Sequence, residues 1–227
     1  ADRRFEESME VITQAWTAEE PFDHRGEFWT FNDMTVLPRP VQLPTPPVWV
    51  AASSENSMNR VATHNWNLLV SQGETFQGVA HQMEYFRRAL GKASFEYSPN
   101  RITVARAMHT APTAAQARAD SEVPFAWFRQ TGNEVSAPPD RRADLLPDNF
   151  ERYRQRFAAN PTFDYEAAVE NVILFGTPEQ VSQKIDGLHQ SGVENLILFI
   201  NYGGIDTQKV IASMELFATE VMPQFRD

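Results

Sequence analysis

Residues 46–58 read Pro-Pro-Val-Trp-Val-Ala-Ala-Ser-Ser-Glu-Asn-Ser-Met, and this stretch decides the fold. The apolar run at residues 48–52 is short, continuous and bounded by turn-forming residues, which is typical of a strand buried on both faces. The polar residues that follow it predict a turn into a helix through Met58. A strand followed at once by its helix indicates one βα unit.

The same unit recurs downstream. The segment from Thr177 carries a helix-start signature, with Thr177 as N-cap, Pro178 at the first helical position and Gln180 placed for a capping box. Buried strands that alternate with helices predict an α/β fold with a parallel sheet and right-handed crossovers. Further strands are predicted at residues 67–71, 102–109 and 195–200, and further helices at residues 76–90, after Pro112 and at residues 207–222.

An amphipathic helix and a hairpin precede this alternation. Residues 24–31 predict a short hairpin that pivots on Gly26. The proline-rich residues 37–47 must form an extended connection, which we interpret as leading into the first predicted strand rather than as a linker between domains. The helix is indicated by apolar residues at helical spacing, namely Phe5, Met9, Ile12 and Trp16.

The number of strands bears on the architecture. Four parallel strands are too few to close a barrel, and an open sheet of four would expose two apolar edges. Because the chain also opens inside a helix, we expect further strands to belong in front of Ala1. A doubly wound open sheet is the alternative architecture.

One interval interrupts the rhythm of strands and helices. Residues 131–164 contain Pro138, Pro139, a mixture of acidic and basic residues and one helical patch at 150–157. Excursions of this length are usually functional lids or poorly ordered segments. We therefore predict one domain over residues 1–227, with a lid-like excursion at about residues 131–164.

The composition excludes several classes of function. The chain has 227 residues, of which 42% are hydrophobic, and a formal net charge of −10, which opposes binding to nucleic acids or anionic membranes. It contains no cysteine and no apolar run near the ~20 residues of a membrane span, so we expect a cytoplasmic protein. No two of its five histidines stand at metal-ligand spacing on one helix face, so no metal site is predicted.

Two series of motifs occur in order along the chain. Toward the amino end, the series is Arg4-Phe5-Glu6-Glu7, Val11-Ile12, Ala15-Trp16, Arg25-Gly26-Glu27-Phe28-Trp29, Pro38-Arg39-Pro40-Val41-Gln42 and Pro46-Pro47-Val48-Trp49-Val50-Ala51. Toward the carboxyl end, it is residues 175–181, Gly192-Val193-Glu194, Asn201-Tyr202-Gly203-Gly204 and Val221-Met222-Pro223. Together these motifs resemble the bacterial luciferase-like, flavin-dependent monooxygenase superfamily. The resemblance spans nearly the whole chain and is weakest across residues 132–161.

This resemblance implies a (β/α)₈ TIM barrel, of which the chain would be the C-terminal half with about four βα units. It implies an oxidoreductase that uses reduced FMN and O₂ to oxidise a small organic substrate. It also implies a separate flavin reductase as partner, and it leaves a homodimer open. Catalytic residues would lie in the absent N-terminal strands, so none is assigned in this chain.

Candidate cofactor-binding residues follow two predicted strands. Ser53, Ser54 and Ser57 lie between a strand and a helix, where hydroxyls and free amides suit a phosphate group, although such residues also simply cap helices. Ala52 stands where some relatives carry an acidic residue, so its contact would be through the backbone. Gln72 ends the next strand, where the family places side chains beside the flavin ring.

Two other strand ends have less specific signals. His109 ends a strand and is the one histidine placed to face a barrel mouth, but we interpret it as a solvated or hydrogen-bonded structural histidine. Asn201 and Tyr202 end the last strand, and turn chemistry is the favoured account of the Gly203-Gly204 pair that follows.

Three alternatives compete with an FMN-dependent monooxygenase. An F420-dependent oxidoreductase belongs to the same superfamily and would transfer hydride. A catalytically silent flavin-binding fragment would keep phosphate contacts and lose the chemistry. A glycoside-hydrolase barrel needs two carboxylates at strand ends, and none of the four predicted strands ends in Asp or Glu, which argues against it.

Overall fold

The computed structural model describes residues 2–136 and 163–225. The chain divides into two compact units, Ala1–Val48 and Trp49–Asp227. Most of the predicted lid at residues 131–164, including the helical patch at 150–157, lies outside the described residues. The first residues of that interval belong to a helix that runs to Ser136.

The first unit confirms the predicted helix and hairpin. Helix α1 spans Asp2–Thr17, and strands β1 (Phe22–Arg25) and β2 (Thr30–Met34) pair antiparallel. A Cβ at Gly26 would lie 2.0 Å from a carboxylate oxygen of Glu7, so the glycine in the turn makes room for that side chain.

The Glu7 carboxylate joins α1 to the hairpin turn. One of its oxygens accepts the main-chain N–H of Trp29 at 2.7 Å, and both oxygens accept that of Phe28, at 2.9 and 3.0 Å. The His24 Nε2 atom lies 3.3 Å from the same carboxylate. A buried glutamate thus ties the turn down by charge-assisted hydrogen bonds.

The described residues of the second unit form a five-stranded parallel sheet with helices between its strands. The predicted parallel sheet is confirmed, and a short strand, β6, is added to it; three residues are too few to show a period in the sequence. Its elements in chain order are β3 (Trp49–Ala51), α2 (Glu55–Thr63), β4 (Asn67–Val70), α3 (Phe76–Lys92), a 3₁₀ turn (Pro99–Arg101), β5 (Ile102–Thr110), α4 (Ala114–Ser136), α5 (Tyr165–Asn171), β6 (Leu174–Gly176), α6 (Pro178–Gln190), β7 (Asn195–Phe199) and α7 (Thr207–Leu216), continued by a π-turn (Phe217–Val221) and a 3₁₀ turn (Met222–Phe225).

Strand β5 is the centre of this sheet. Its residues Thr103 and Val104 pair with β4 on one edge and with β7 on the other, while its carboxyl end, from Met108 onward, pairs with β6. Strand β3 pairs with β4. The order from edge to edge is therefore β3-β4-β5-β7, with β6 beside the end of β5.

Burial differs between the central and the outer strands. In β5 every residue except Ala105 is buried. By contrast, Trp49 of β3 is 37% exposed and Ile197 of β7 is 50% exposed. The prediction that the strands at 48–52 and 195–200 are buried on both faces is therefore wrong at these positions. Within the described residues, β3 and β7 each pair along one edge and so lack the covering that β5 receives.

Candidate functional site

The carboxyl ends of the parallel strands bring the predicted site residues to one edge of the sheet. Ser53 follows β3, Gln72 follows β4, His109 lies near the end of β5, and Tyr202 follows β7. Because parallel strands end at a common edge, ligand sites of α/β folds are built there. This edge is the candidate site.

The predicted phosphate-binding turn forms the start of α2. Ser54 is the N-cap, and its hydroxyl accepts the main-chain N–H of Ser57 at 3.2 Å, while the Ser57 hydroxyl accepts that of Ser54 at 3.1 Å. This reciprocal capping box is the structural role that the sequence also allowed. Ser53 is exposed and Ala52 is buried.

The capping box leaves part of the helix terminus available. The first N–H groups of a helix have no intrahelical acceptor. Here the main-chain N–H of Ser57 donates to the Ser54 hydroxyl. The amides of Glu55 and Asn56 precede it in the first turn of α2. These amides and the Ser53 hydroxyl are the groups that a ligand anion would meet, since a helix N-terminus favours negative charge.

A buried arginine supports the loop that follows β4. The guanidinium of Arg106, 0% exposed, donates through Nη1 to the carbonyls of Ser71 at 3.2 Å and Ala105 at 2.7 Å. It also lies 5.5 Å from the ring centroid of Phe76, the first residue of α3. Gln72, the half-buried residue proposed to contact a flavin, directly follows Ser71.

The electrostatics of Arg106 are unusual for an arginine. Burial lowers its pKa to about 10, and the charge of Glu74 only partly opposes that shift. Its Nε and Nη2 atoms are buried and have no hydrogen-bond partner among the described residues. Sequence reasoning missed Arg106. A charged residue within a predicted buried strand was a usable signal, because burying a charge costs free energy and therefore indicates a specific role.

His109 belongs to a charged cluster at the end of β5. It is 1% exposed, and its Nε2 lies 3.6 Å from a carboxylate oxygen of Asp120 on α4. The other Asp120 oxygen accepts hydrogen bonds from Lys209 at 2.6 Å and from Gln116 at 2.8 Å. Burial lowers the pKa of His109, while Asp120 raises it. The structural interpretation of this histidine is supported, but as a buried group rather than a solvated one.

Aromatic residues pack beside this cluster around Tyr202. Tyr202 is 3% exposed and stacks on Phe175 with 5.5 Å between ring centroids. Its hydroxyl has no partner among the described residues, and burial raises its pKa. The rings in mutual contact here are Phe125, Phe128, Phe163, Tyr165, Phe175, Phe199 and Tyr202.

The two glycines after Tyr202 have different structural roles. Gly203 and Gly204 both have positive φ, 59° and 74°, which confirms the predicted turn chemistry. A Cβ on Gly203 would also lie 1.8 Å from the main-chain oxygen of Pro124 in α4, whereas one on Gly204 would meet nothing within 4 Å. Gly203 therefore permits the close approach of its loop to the backbone of α4.

Neither a membrane-spanning helix nor a cluster of metal ligands is found in the part of the chain that the structure describes. No helix among residues 2–136 and 163–225 is both long and apolar enough to cross a membrane. The same residues contain no group of three or more histidine, aspartate or glutamate side chains placed to hold a metal ion.

Comparison with known proteins identifies relatives along the whole chain. A flavin-dependent trigonelline monooxygenase, oxygenase component, from Acinetobacter baylyi is 28% identical over an alignment that covers 100% of this chain and 61% of that protein. An FMNH₂-dependent dimethylsulfone monooxygenase from Pseudomonas putida is 26% identical, over 99% of this chain and 58% of that protein. The chain thus spans about 60% of the length of these relatives.

A solved structure and a family profile agree with these relatives. The crystal structure of monooxygenase RslO1 from Streptomyces bottropensis superposes with a TM-score of 0.71 at 23% identity, over 99% of this chain and 62% of that one, which shows a shared fold. The profile described as luciferase-like monooxygenase matches residues 1–195, which is most of the chain. The chain belongs to the luciferase-like monooxygenase family.

Proposed function

We propose that the full-length protein is a two-component, FMN-dependent monooxygenase that receives reduced FMN from a separate reductase and uses O₂ to oxidise a small organic substrate. The observation that carries this proposal is the parallel sheet of a family member, with a helix N-terminus and a supported polar loop at its carboxyl edge. The related proteins are named as monooxygenases that act on trigonelline and dimethylsulfone, both small molecules.

The proposed architecture is a (β/α)₈ barrel to which this chain contributes the C-terminal half. The exposure of Trp49 and Ile197 on the outer strands supports it, because a closed barrel would cover both strands along their second edges. In this proposal residues 1–227 form one domain with a lid-like excursion at about 131–164, and the catalytic groups lie outside this chain.

The proposed phosphate site is the start of α2. A dianionic phosphate is stabilised by main-chain N–H groups and by the positive end of the helix dipole, without a positive side chain. Ser53 offers a hydroxyl that is not part of the capping box. Ser54 and Ser57 fix the backbone that presents the amides, and the main-chain N–H of Ala52 donates to the Leu69 carbonyl. The residues present fit the phosphate of FMN.

The proposed ring site is the loop after β4. When bound, FMN supplies the chemistry of oxygen activation, and the chain holds and orients it and excludes water. Gln72 has amide donors for a flavin carbonyl, and the hydrogen bond from Arg106 to the Ser71 carbonyl fixes the residue before it. The loop therefore presents a polar side chain from a rigid base.

The proposed partners are a flavin reductase, a small organic substrate and, in a homodimer, a second copy of the protein. We propose a cytoplasmic location, because the sequence has no cysteine and its net charge of −10 disfavours anionic membrane surfaces. Sedimentation velocity of the full-length protein tests the dimer.

Anaerobic titration of the full-length protein with reduced FMN and with reduced F420 tests the cofactor. We expect saturable binding of reduced FMN and, after admission of O₂, an oxygenated product by mass spectrometry. Binding of F420 but not FMN would indicate an oxidoreductase that transfers hydride. Binding of FMN without oxygen consumption would indicate a catalytically silent flavin-binding protein. No affinity for reduced FMN would end the proposal.

A pair of variants tests the phosphate site separately. Riboflavin lacks the phosphate of FMN, so the ratio of the two reduced-flavin affinities isolates the phosphate contribution. We expect Ser53→Ala to reduce the preference for FMN over riboflavin several-fold without changing the unfolding midpoint. Thr75→Ala, which removes the N-cap of α3, is the matched control, and it should lower the midpoint and leave the ratio unchanged.

A further inference from the structure

A groove between α5 and α6 contains a lysine that has no charged partner among the described residues. Its cavity volume is about 510 Å³. Lys184 on α6 lines it, and its Nζ donates to the main-chain carbonyls of Ile173 at 3.3 Å and Phe175 at 3.1 Å, on either side of Leu174. The described residues that line this groove are Glu166, Val169, Glu170, Gln180, Gln183 and Lys184.

The sequence contains three lysines, and their environments differ. Lys209 forms an ion pair with Asp120 at 2.6 Å, and Lys92 is exposed in the last turn of α3. Lys184 is half-buried, and no carboxylate of the described residues lies within ion-pair distance of its Nζ. Glu166, which also lines the groove, is paired with Arg118.

This geometry points to a reactive amine. Burial removes the ammonium group of Lys184 from water and disfavours its charged form, which lowers its pKa to about 8. At pH 7 roughly one molecule in ten then has a neutral amine, against fewer than about one in a thousand for an ordinary lysine with a pKa of about 10.4. The neutral amine is the nucleophilic form.

The charge and polarity of the residues that line the groove determine which kind of electrophile can react there. Glu170 is acidic, Glu166 is paired with Arg118, and Gln180 and Gln183 are neutral and polar. Like charges disfavour an anionic reagent in this groove. We propose that Lys184 is a modification site that captures small uncharged aldehydes in the α5–α6 groove, an activity separate from the flavin site.

The reaction balances without an oxidant or a metal. The nitrogen lone pair of Lys184 attacks the aldehyde carbon to give a carbinolamine, which loses water to form the C=N bond of an imine. The protonated imine keeps one N–H, so it donates to only one of the carbonyls of Ile173 and Phe175. The hydrogen bond to the other carbonyl is lost. The modification therefore removes one side-chain hydrogen bond to the main chain in or directly before β6.

Reductive alkylation of the folded full-length protein tests the proposal. The protein is treated with limiting propanal and cyanoborohydride at pH 7, and the modified lysines are quantified by peptide mass spectrometry. We expect Lys184 to react at least tenfold faster than Lys92 at pH 7, and the ratio of the two rates to fall as the pH rises above about 8. Equal or slower labelling of Lys184, or a rate ratio that stays constant up to pH 10, would overturn the proposal.

Two controls separate the groove from general reactivity. Lys184→Arg keeps donors for both carbonyls and should abolish labelling on α6, whereas Lys92→Arg should leave Lys184 labelling unchanged. Glyoxylate, an aldehyde with a carboxylate, should lose rate relative to propanal more at Lys184 than at Lys92. An equal loss at both sites would contradict the charge selection.

Discussion

Replacing Gly203 by alanine probes how the loop after β7 is seated on α4. The added Cβ would lie 1.8 Å from the main-chain oxygen of Pro124, a distance at which the backbone must move. The obstructing atom belongs to the main chain, so no rotation of a side chain relieves the contact. Gly204→Ala is the matched control, since Gly204 also has a positive φ and its Cβ would enter open space.

The magnitudes follow from two separate terms. An alanine in the left-handed region costs roughly 1–2 kcal/mol, and both variants incur this cost. Forcing an extra group into a packed contact adds typically 1–3 kcal/mol, and only Gly203→Ala incurs that. We therefore expect the free energy of unfolding to fall by about 1 kcal/mol for Gly204→Ala and by about 3 kcal/mol for Gly203→Ala.

Urea unfolding of the full-length variants, followed by tryptophan fluorescence, measures both changes. Near-UV circular dichroism adds a local readout, because Tyr202 precedes Gly203 and stacks on Phe175. We expect the aromatic signal to change in Gly203→Ala and to be retained in Gly204→Ala. Equal destabilisation by the two substitutions would refute the close approach to α4.

Two buried ionisable groups give the pH dependence of stability. Burial raises the pKa of Glu7, but hydrogen bonds from Phe28, Trp29 and His24 outweigh it and hold that pKa below 4.5. Relative to Glu7→Gln, the wild type should therefore lose stability as the pH falls below about 4.5, and equal slopes in urea unfolding would contradict this. Burial holds the pKa of His109 below 6.5, so the unfolded state takes up its proton first and stability should fall as the pH drops from 6.5. His109→Gln should flatten that decline between pH 7.5 and 5.5, and an unchanged profile would show that another group causes it.

Most of the fold could be predicted because it depends on patterns along the chain. The apolar runs at residues 67–71 and 102–109 became β4 and β5 within one residue of the predicted ends. The capping signature at Thr177 begins α6 as predicted, with the Thr177 and Gln180 side chains both engaged. Such signals depend on neighbours in sequence, so they are visible without a structure.

The partners of buried groups could not be predicted, because they come from distant positions. Arg106 and Ser71 are 35 residues apart, and nothing in either segment specifies that the guanidinium of one meets the carbonyl of the other. Gly203 shows the same limit. Its turn conformation was predictable from the Gly-Gly pair, but its approach to Pro124 depends on how α4 crosses the end of the sheet.

The sequence of β5 nevertheless shows where the sheet is polar. Ile102 and Val104 begin the strand among apolar neighbours, whereas Arg106 and His109 lie in its carboxyl half. Side chains alternate along a strand, and accordingly Arg106 meets Phe76 at the start of α3 while His109 faces Asp120 on α4. Burying two such groups costs free energy that apolar residues at the same positions would not, and their partners offset only part of it. Both faces of the central strand therefore become polar toward the edge at which α/β enzymes bind their ligands, and core packing alone gives no reason for that gradient.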